Sequence, residues 1–197
     1  MNYLKFKHWT PRYIFNKVCV IIFEKLNPDL PWLTKKSIEF IKKYIKKNHK
    51  MLEVGSGRST LWFQYRVKYL ISLEHNKQWF DKVNKMISKN TKLILKENLE
   101  DYVMFINQLD EDYFDIVLID GLERGKTLLA SYSKVKKGGL IIFDDAHAYL
   151  HNPTTYSPYA AKKPINTDYI KVNKLIKNDN KIWTSNGLKD TLIIIKK

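Results

Sequence analysis

Apolar residues in this chain switch between two spacings. Met51, Leu52 and Val54 make a compact apolar run that stops at Gly55, so 50–54 reads as a buried strand. The runs 68–73, 92–95, 114–119 and 140–143 repeat that pattern. Residues 114–119 are nearly uninterrupted, as expected of a central parallel strand covered on both faces. Between the runs the period changes. Ile38, Ile41 and Ile45 share one face of a helix over 34–48, opposite Lys42, Lys43, Lys46 and Lys47, with Thr34 placed to cap it. A short helix over 59–65, one capped by Asn76 with Trp79 and Val83 on a common face, and others over 125–136 and 165–178 complete the set. Lys137-Gly138-Gly139 reads as a turn, and 181–184 with 191–195 as a hairpin about Asn186-Gly187. Strands alternating with helices predict an α/β fold with a mainly parallel, doubly wound sheet and helices on both faces.

Two stretches depart from this alternation. Tyr13, Ile14, Val18, Ile21 and Ile22 recur at helical spacing ahead of the hinge Asn27-Pro28-Asp29-Leu30-Pro31. Residues 1–30 therefore read as an amphipathic extension and 31–197 as one domain, which suits a chain of 197 residues. From 146 to 164 the period disappears, while His147, Tyr149, His151, Pro153, Tyr156, Pro158 and Tyr159 crowd together. An irregular aromatic segment at a sheet edge predicts an acceptor-binding loop.

Composition narrows the classes. One cysteine, Cys19, leaves no internal disulfide and no cysteine-based zinc site, which suits a reducing compartment. The apolar run 18–23 is too short to span a bilayer or act as a signal peptide, so a soluble, cytoplasmic protein is expected. The net charge of +15 is uneven. Residues 1–50 hold twelve Lys/Arg against three Asp/Glu, residues 51–146 hold fourteen of each, and 147–197 hold nine against three. Basic flanks suit nucleic acid, a phosphorylated acceptor or an anionic membrane contacted peripherally through the N-terminus; solvated lysine faces are the plain alternative.

Candidate chemistry centres on Glu53-Val54-Gly55-Ser56-Gly57-Arg58-Ser59-Thr60. Gly55 lets the chain reverse sharply with its backbone close to a ligand, and a helix starting at Ser59 or Thr60 points free N–H groups into the same hollow. A dinucleotide fingerprint needs a glycine where Thr60 stands, and a phosphate loop needs a lysine that is absent. Glu53 instead suits an ammonium group. Glu74, ending the second strand, is placed for ribose hydroxyls. A ligand with a ribose and a cationic amino acid but no required phosphate describes S-adenosyl-L-methionine.

With Glu53 to Thr60, Glu74-His75, Asp120-Gly121 and Asp144-Asp145 in this order, the sequence resembles class I S-adenosylmethionine-dependent methyltransferases, more narrowly their small O-methyltransferase-like group. The resemblance covers about residues 31–145. It implies a Rossmann-like sheet closed by an antiparallel C-terminal strand. It also implies cofactor contacts from Glu53, Gly55, Ser56, Gly57, Ser59, Thr60, Glu74, His75, Asp120 and Gly121, with Asn98 and Glu100 as candidates near the adenine. Asp120, Asp144 and Asp145 are candidate oxygen ligands for Mg²⁺, as in catechol-type relatives. Asp120, Asp144 and His147 are the candidate catalytic residues, His147 as general base. One departure stands out: Glu123, followed by Arg124, occupies the place of those relatives' lysine base. The expected activity is O-methylation of a small hydroxylated acceptor such as a sugar or glycan unit. A nucleic-acid methyltransferase is less favoured, because no Asn/Asp-Pro-Pro-aromatic tetrad follows the fourth strand. A non-catalytic binding module of the same fold is the third reading, and the oligomeric state stays open.

Overall fold

The computed structural model describes residues 10–153, 155, 157, 160–163 and 165–197. Tyr156, Pro158 and Tyr159 of the expected acceptor loop, and residues 1–9 of the extension, lie outside them. Strands β1 (Lys50–Val54), β2 (Tyr69–Glu74), β3 (Thr91–Leu95), β4 (Phe114–Ile119), β5 (Val135–Phe143), β6 (Asn180–Ser185) and β7 (Asp190–Ile195) form one sheet. Its order is β3-β2-β1-β4-β5-β7-β6, parallel except for β7, which runs antiparallel to both neighbours. The strand order reverses between β1 and β4, so their C-terminal ends open a crevice for a ligand.

Alternation along each strand divides the interior into two clusters. Leu52, Val54, Leu73, Val117 and Phe143 face Tyr102 and Ile106 of α5 (Leu99–Asn107), Leu128 of α6 (Arg124–Ser131) and Val172 of α8 (Thr167–Leu175). Met51, Leu70, Ile116, Leu118 and Ile142 face Ile38 and Ile41 of α2 (Lys35–Tyr44), and Trp62 and Phe63 of α3 (Arg58–Phe63). A side-chain period of two makes one strand supply both clusters. The remaining helices are α1 (Pro11–Leu26), α4 (Lys77–Asn84) and the single turn α7 (Ala146–Tyr149). Among the described residues, no helix is long and apolar enough to cross a membrane.

The structure redraws three boundaries. The helix expected over 34–48 stops at Tyr44, because Ile45 turns extended (φ −64°, ψ 137°) and tucks against the α2 cluster. The helix expected over 125–136 ends at Ser131 and passes through a 3₁₀ turn, Tyr132–Lys134, directly into β5. Lys137-Gly138-Gly139 is thus not a turn before the strand but a bulge within it. Val135 pairs with Phe114 and Leu140 with Ile116, so extra residues loop out opposite Asp115. The third correction is α5, a helix in a stretch where the apolar spacing announced none. Asn98 stands at its N-cap and Glu100 in its first turn, where the helix dipole favours an acid.

Candidate active site

The glycine bend fits between two strand ends. Gly55 has φ +97°, its N–H donates to Leu73 O at 2.9 Å, and Asp120 N–H donates to Val54 O at 2.8 Å. A Cβ on Gly55 would lie 2.6 Å from Asp120 O, so only glycine lets the β1 and β4 ends approach this closely.

Glu53 lies under the bend, fully buried. Its Oε2 accepts hydrogen bonds from Thr60 Oγ1 and Ser72 Oγ, both at 2.5 Å, while Oε1 has no partner among the described residues. Thr60 Oγ1 also accepts from Gly57 N–H at 2.9 Å, so the carboxylate fixes the bend through a hydroxyl relay. Burial pushes the Glu53 carboxyl up to about 7, against the nearby hydroxyls of Ser59, Ser72 and Thr60 that favour its charged form, with the Glu74 charge adding to the rise. A folded-state value raised from 4.5 means stability is lost as pH climbs from about 4.5 to about 7. Glu53→Gln is therefore expected to stabilise the fold at pH 8, by at most about 3 kcal/mol, with little effect at pH 4.5. Thermal melts of parent and variant across that range check this; parallel curves would count against a neutralised Glu53.

Glu74 organises the other rim. Its Oε2 accepts from Ser56 N–H at 3.0 Å and Ser56 Oγ at 2.7 Å, and its Oε1 from the N–H groups of His75 and Asn76 at 2.9 and 2.8 Å. Gly55, Ser56, Glu74, His75, Asp120 and Gly121 line a cavity of about 480 Å³, joined by Trp79 and Lys82 of α4. The Trp79 indole N–H donates to Ser56 O at 2.8 Å, and its ring packs beside Gly57.

Beyond Asp120 the β4 and β5 ends bring three acids together. Carboxylate oxygens of Asp120, Asp144 and Asp145 lie within 4.8 Å of one another. Arg124, at the first position of α6, sits among them. Its Nη2 donates to Asp120 Oδ1 at 2.8 Å, and its Nη1 donates to Asp144 O at 2.6 Å and lies 3.1 Å from Asp145 Oδ2. Tyr149, stacked on Tyr169, faces the guanidinium at 5.5 Å. Lys189 Nζ lies 3.8 Å from Asp144 Oδ2, and Thr191 Oγ1 donates to Asp144 Oδ1 at 2.7 Å. Burial raises the Asp120 carboxyl well above the usual range, and the Asp144 charge adds to it; Arg124 and Lys189 oppose the rise. Asp144 is raised for the same first reason. Burial lowers the Arg124 guanidinium, but the three acids outweigh that and raise it, so it stays charged. Glu123 (φ 43°) and Asp145 (φ 51°) hold left-handed conformations just ahead of α6 and α7. Such backbone cost persists only where surroundings impose it.

No family model and no curated protein matches the sequence. Solved structures do match in fold. A caffeoyl-CoA O-methyltransferase-like protein from Staphylococcus aureus aligns at TM-score 0.59 and 16% identity, over 95% of this chain and 93% of that one. An rRNA methylase from Streptococcus thermophilus aligns at TM-score 0.56 and 13% identity, over 82% and 94%. The tRNA (m1A58) methyltransferase from Aquifex aeolicus aligns at TM-score 0.55 and 14% identity, over 83% and 68%. The chain has the class I S-adenosylmethionine-dependent methyltransferase fold. The mainly parallel sheet with its antiparallel C-terminal strand is as the resemblance implied, with the glycine bend following β1 and Glu74 ending β2.

Measured against this fold, most of the expected site residues fall into three groups, while Gly57 packs beside Trp79 and Asp144 and Asp145 stand with Asp120. Ser56, Gly55, Glu74, His75, Asp120 and Gly121 meet at one cavity. Glu53, Ser59 and Thr60 lie behind its wall, where they hold the bend. His147, the expected base, is not among the residues lining that cavity: it is buried, its Nδ1 accepts the Asp190 N–H at 3.1 Å, and burial lowers its basicity. That geometry ties α7 to the start of β7. Three residues of the site escaped sequence reasoning in this role. Arg124 registered only as a departure, since its approach to Asp120 and Asp145 is set by where α6 begins. Trp79 read as part of an ordinary helix face, and Lys82 was not singled out.

Proposed function

We propose that the protein is an S-adenosylmethionine-dependent methyltransferase acting on a hydroxyl of a small acceptor, such as a sugar or glycan unit. The observation that carries this reading is the cavity between Glu74 and Asp120, floored by Gly55 and walled by Trp79. Glu74 has all four carboxylate acceptor directions filled, by Ser56, His75 and Asn76. A ribose hydroxyl takes the place of the Ser56 hydroxyl, the one of these donors that can rotate away. Bound there, S-adenosylmethionine supplies a sulfonium methyl group for in-line displacement.

Asp120 faces the same cavity from the β4 end, with its basicity raised by burial. It accepts the acceptor's hydroxyl proton as the oxygen takes the methyl group, and S-adenosylhomocysteine leaves with the sulfur electron pair. The carboxylates around Asp120 repel a polyanion, which favours a small hydroxylated acceptor over nucleic acid.

The three acids match the donor chemistry of Mg²⁺. The guanidinium of Arg124, however, already bonds or pairs with Asp120 and Asp145. We assign the cation's place to Arg124 and route no step through a metal.

Titration calorimetry with S-adenosylmethionine and S-adenosylhomocysteine tests the first step. Both are expected to bind in the micromolar range, and no heat at millimolar ligand would end the reading. Incubation with hydroxylated acceptors, read by mass spectrometry as the gain of one methyl group, tests the second. The rate is expected to rise with pH through neutrality as Asp120 loses its proton.

A further inference from the structure

The two sides of α1 are inverted relative to an ordinary surface helix. At 100° per residue, Tyr13, Asn16, Lys17, Val20, Phe23 and Glu24 fall on one arc, and these are the helix's half-buried residues. Phe23 packs against the α2 cluster and Asn16 meets Gly187, so this arc rests on the domain. The opposite arc, about 140° wide, carries Ile14, Phe15, Val18, Ile21, Ile22 and Leu26. These six are exposed, from 43% at Ile21 to 75% at Leu26. A helix normally turns its polar side to water, and a contiguous apolar face of this kind marks a contact surface.

Charge identifies what meets it. The sole acid of α1, Glu24, lies on the inner arc, while Lys25 shares the outer arc with the aliphatic residues. Residues 1–50 carry twelve Lys/Arg against three Asp/Glu, so the part of the chain that contains this face is strongly basic. A second copy of the chain would press one basic surface against another, which like-charge repulsion opposes. Nucleic acid would leave the six apolar side chains unsatisfied. An anionic bilayer surface meets both needs: acyl chains for the apolar arc and headgroup charge for its rim. With 16 residues, α1 is too short to span and long enough to lie flat.

We propose that the protein docks on anionic lipid bilayers through the outer face of α1, with Phe15 and Ile22 entering the headgroup layer. The inference is independent of the reaction catalysed. Co-sedimentation of the full chain with phosphatidylcholine vesicles, with and without phosphatidylserine, tests it. Binding to the anionic vesicles is expected to exceed that to neutral ones by at least about tenfold and to weaken as salt rises. The double substitution Phe15→Ser with Ile22→Ser is expected to cut binding about tenfold while leaving the melting temperature within a few degrees, since neither side chain is buried. No binding to anionic vesicles, or equal binding by the double variant, overturns the proposal. So does light scattering that shows a stable dimer which the same substitutions dissociate, because a second copy would then cover the face.

Discussion

Gly55→Ala is expected to abolish measurable cofactor binding and to lower the stability of the fold by about 4 kcal/mol. Two costs add. An alanine at φ +97° sits in the backbone region that L-residues avoid, worth about 1–3 kcal/mol. Its methyl group would also lie 2.6 Å from Asp120 O, 2.7 Å from Asp120 C and 2.9 Å from Gly121 Cα. All three are backbone atoms of the adjoining strand end, so no side chain can swing aside, and overpacking of this kind costs about a further 1–3 kcal/mol. Relief requires β1 and β4 to part where the cavity forms, and displacing binding groups by about 1 Å is enough to lose about a hundredfold in function. Calorimetry and a thermal melt measure both effects. Gly138→Ala provides the contrast: φ is +74° there but the added methyl meets nothing within 4 Å. That change is expected to cost only about 1 kcal/mol and to leave ligand binding intact.

Arg124→Ala is expected to destabilise the protein by about 3 kcal/mol at pH 8 and far less at pH 5. The guanidinium side chain is 12% exposed and lies against Asp120 and Asp145, so its removal leaves crowded carboxylates without their main counter-charge. Asp120 and Asp144 already stand above ordinary carboxylates, and losing the cation raises them further. Their folded-state proton affinity then exceeds the unfolded one by more, so the penalty is present at high pH and fades as acid protonates them. Denaturant midpoints at the two pH values check the sign. Millimolar Mg²⁺ is expected to recover part of the loss in the variant and to leave the parent unmoved. Equal stabilisation of both would show that the arginine does not hold the cation's place.

How far the sequence reaches depends on whether a feature is carried by periodicity or by long-range packing. The strands 50–54 and 114–119 are visible as runs because both their faces are buried, and β1 and β4 coincide with them. The acids Glu74, Asp120 and Asp144 are visible as strand endings. What escaped are contacts set by geometry across the sheet. Val135 belongs to β5 only because it pairs with Phe114, a partner that no local pattern announces. α5 carries few buried side chains, Tyr102 and Ile106, so its apolar stripe is too thin to stand out. In one dimension Glu53 reads as a cofactor contact and His147 as a general base. One carboxylate oxygen of Glu53 is taken by Thr60 and Ser72, and Nδ1 of His147 by the Asp190 N–H, which requires knowing where β2 and β7 lie.

The separation of the apolar interior into two compartments has an evolutionary consequence. Leu52 and Met51 are neighbours in the chain yet touch different helices, with only the peptide plane between them. Substitutions in different clusters and well separated along the sheet should have energies that sum, so each side can be repacked while the other stays fixed. Each compartment asks only for adequate volume and the strand alternation, a loose demand that many side-chain sets satisfy. A backbone held on such terms keeps its shape through extensive change of its core side chains.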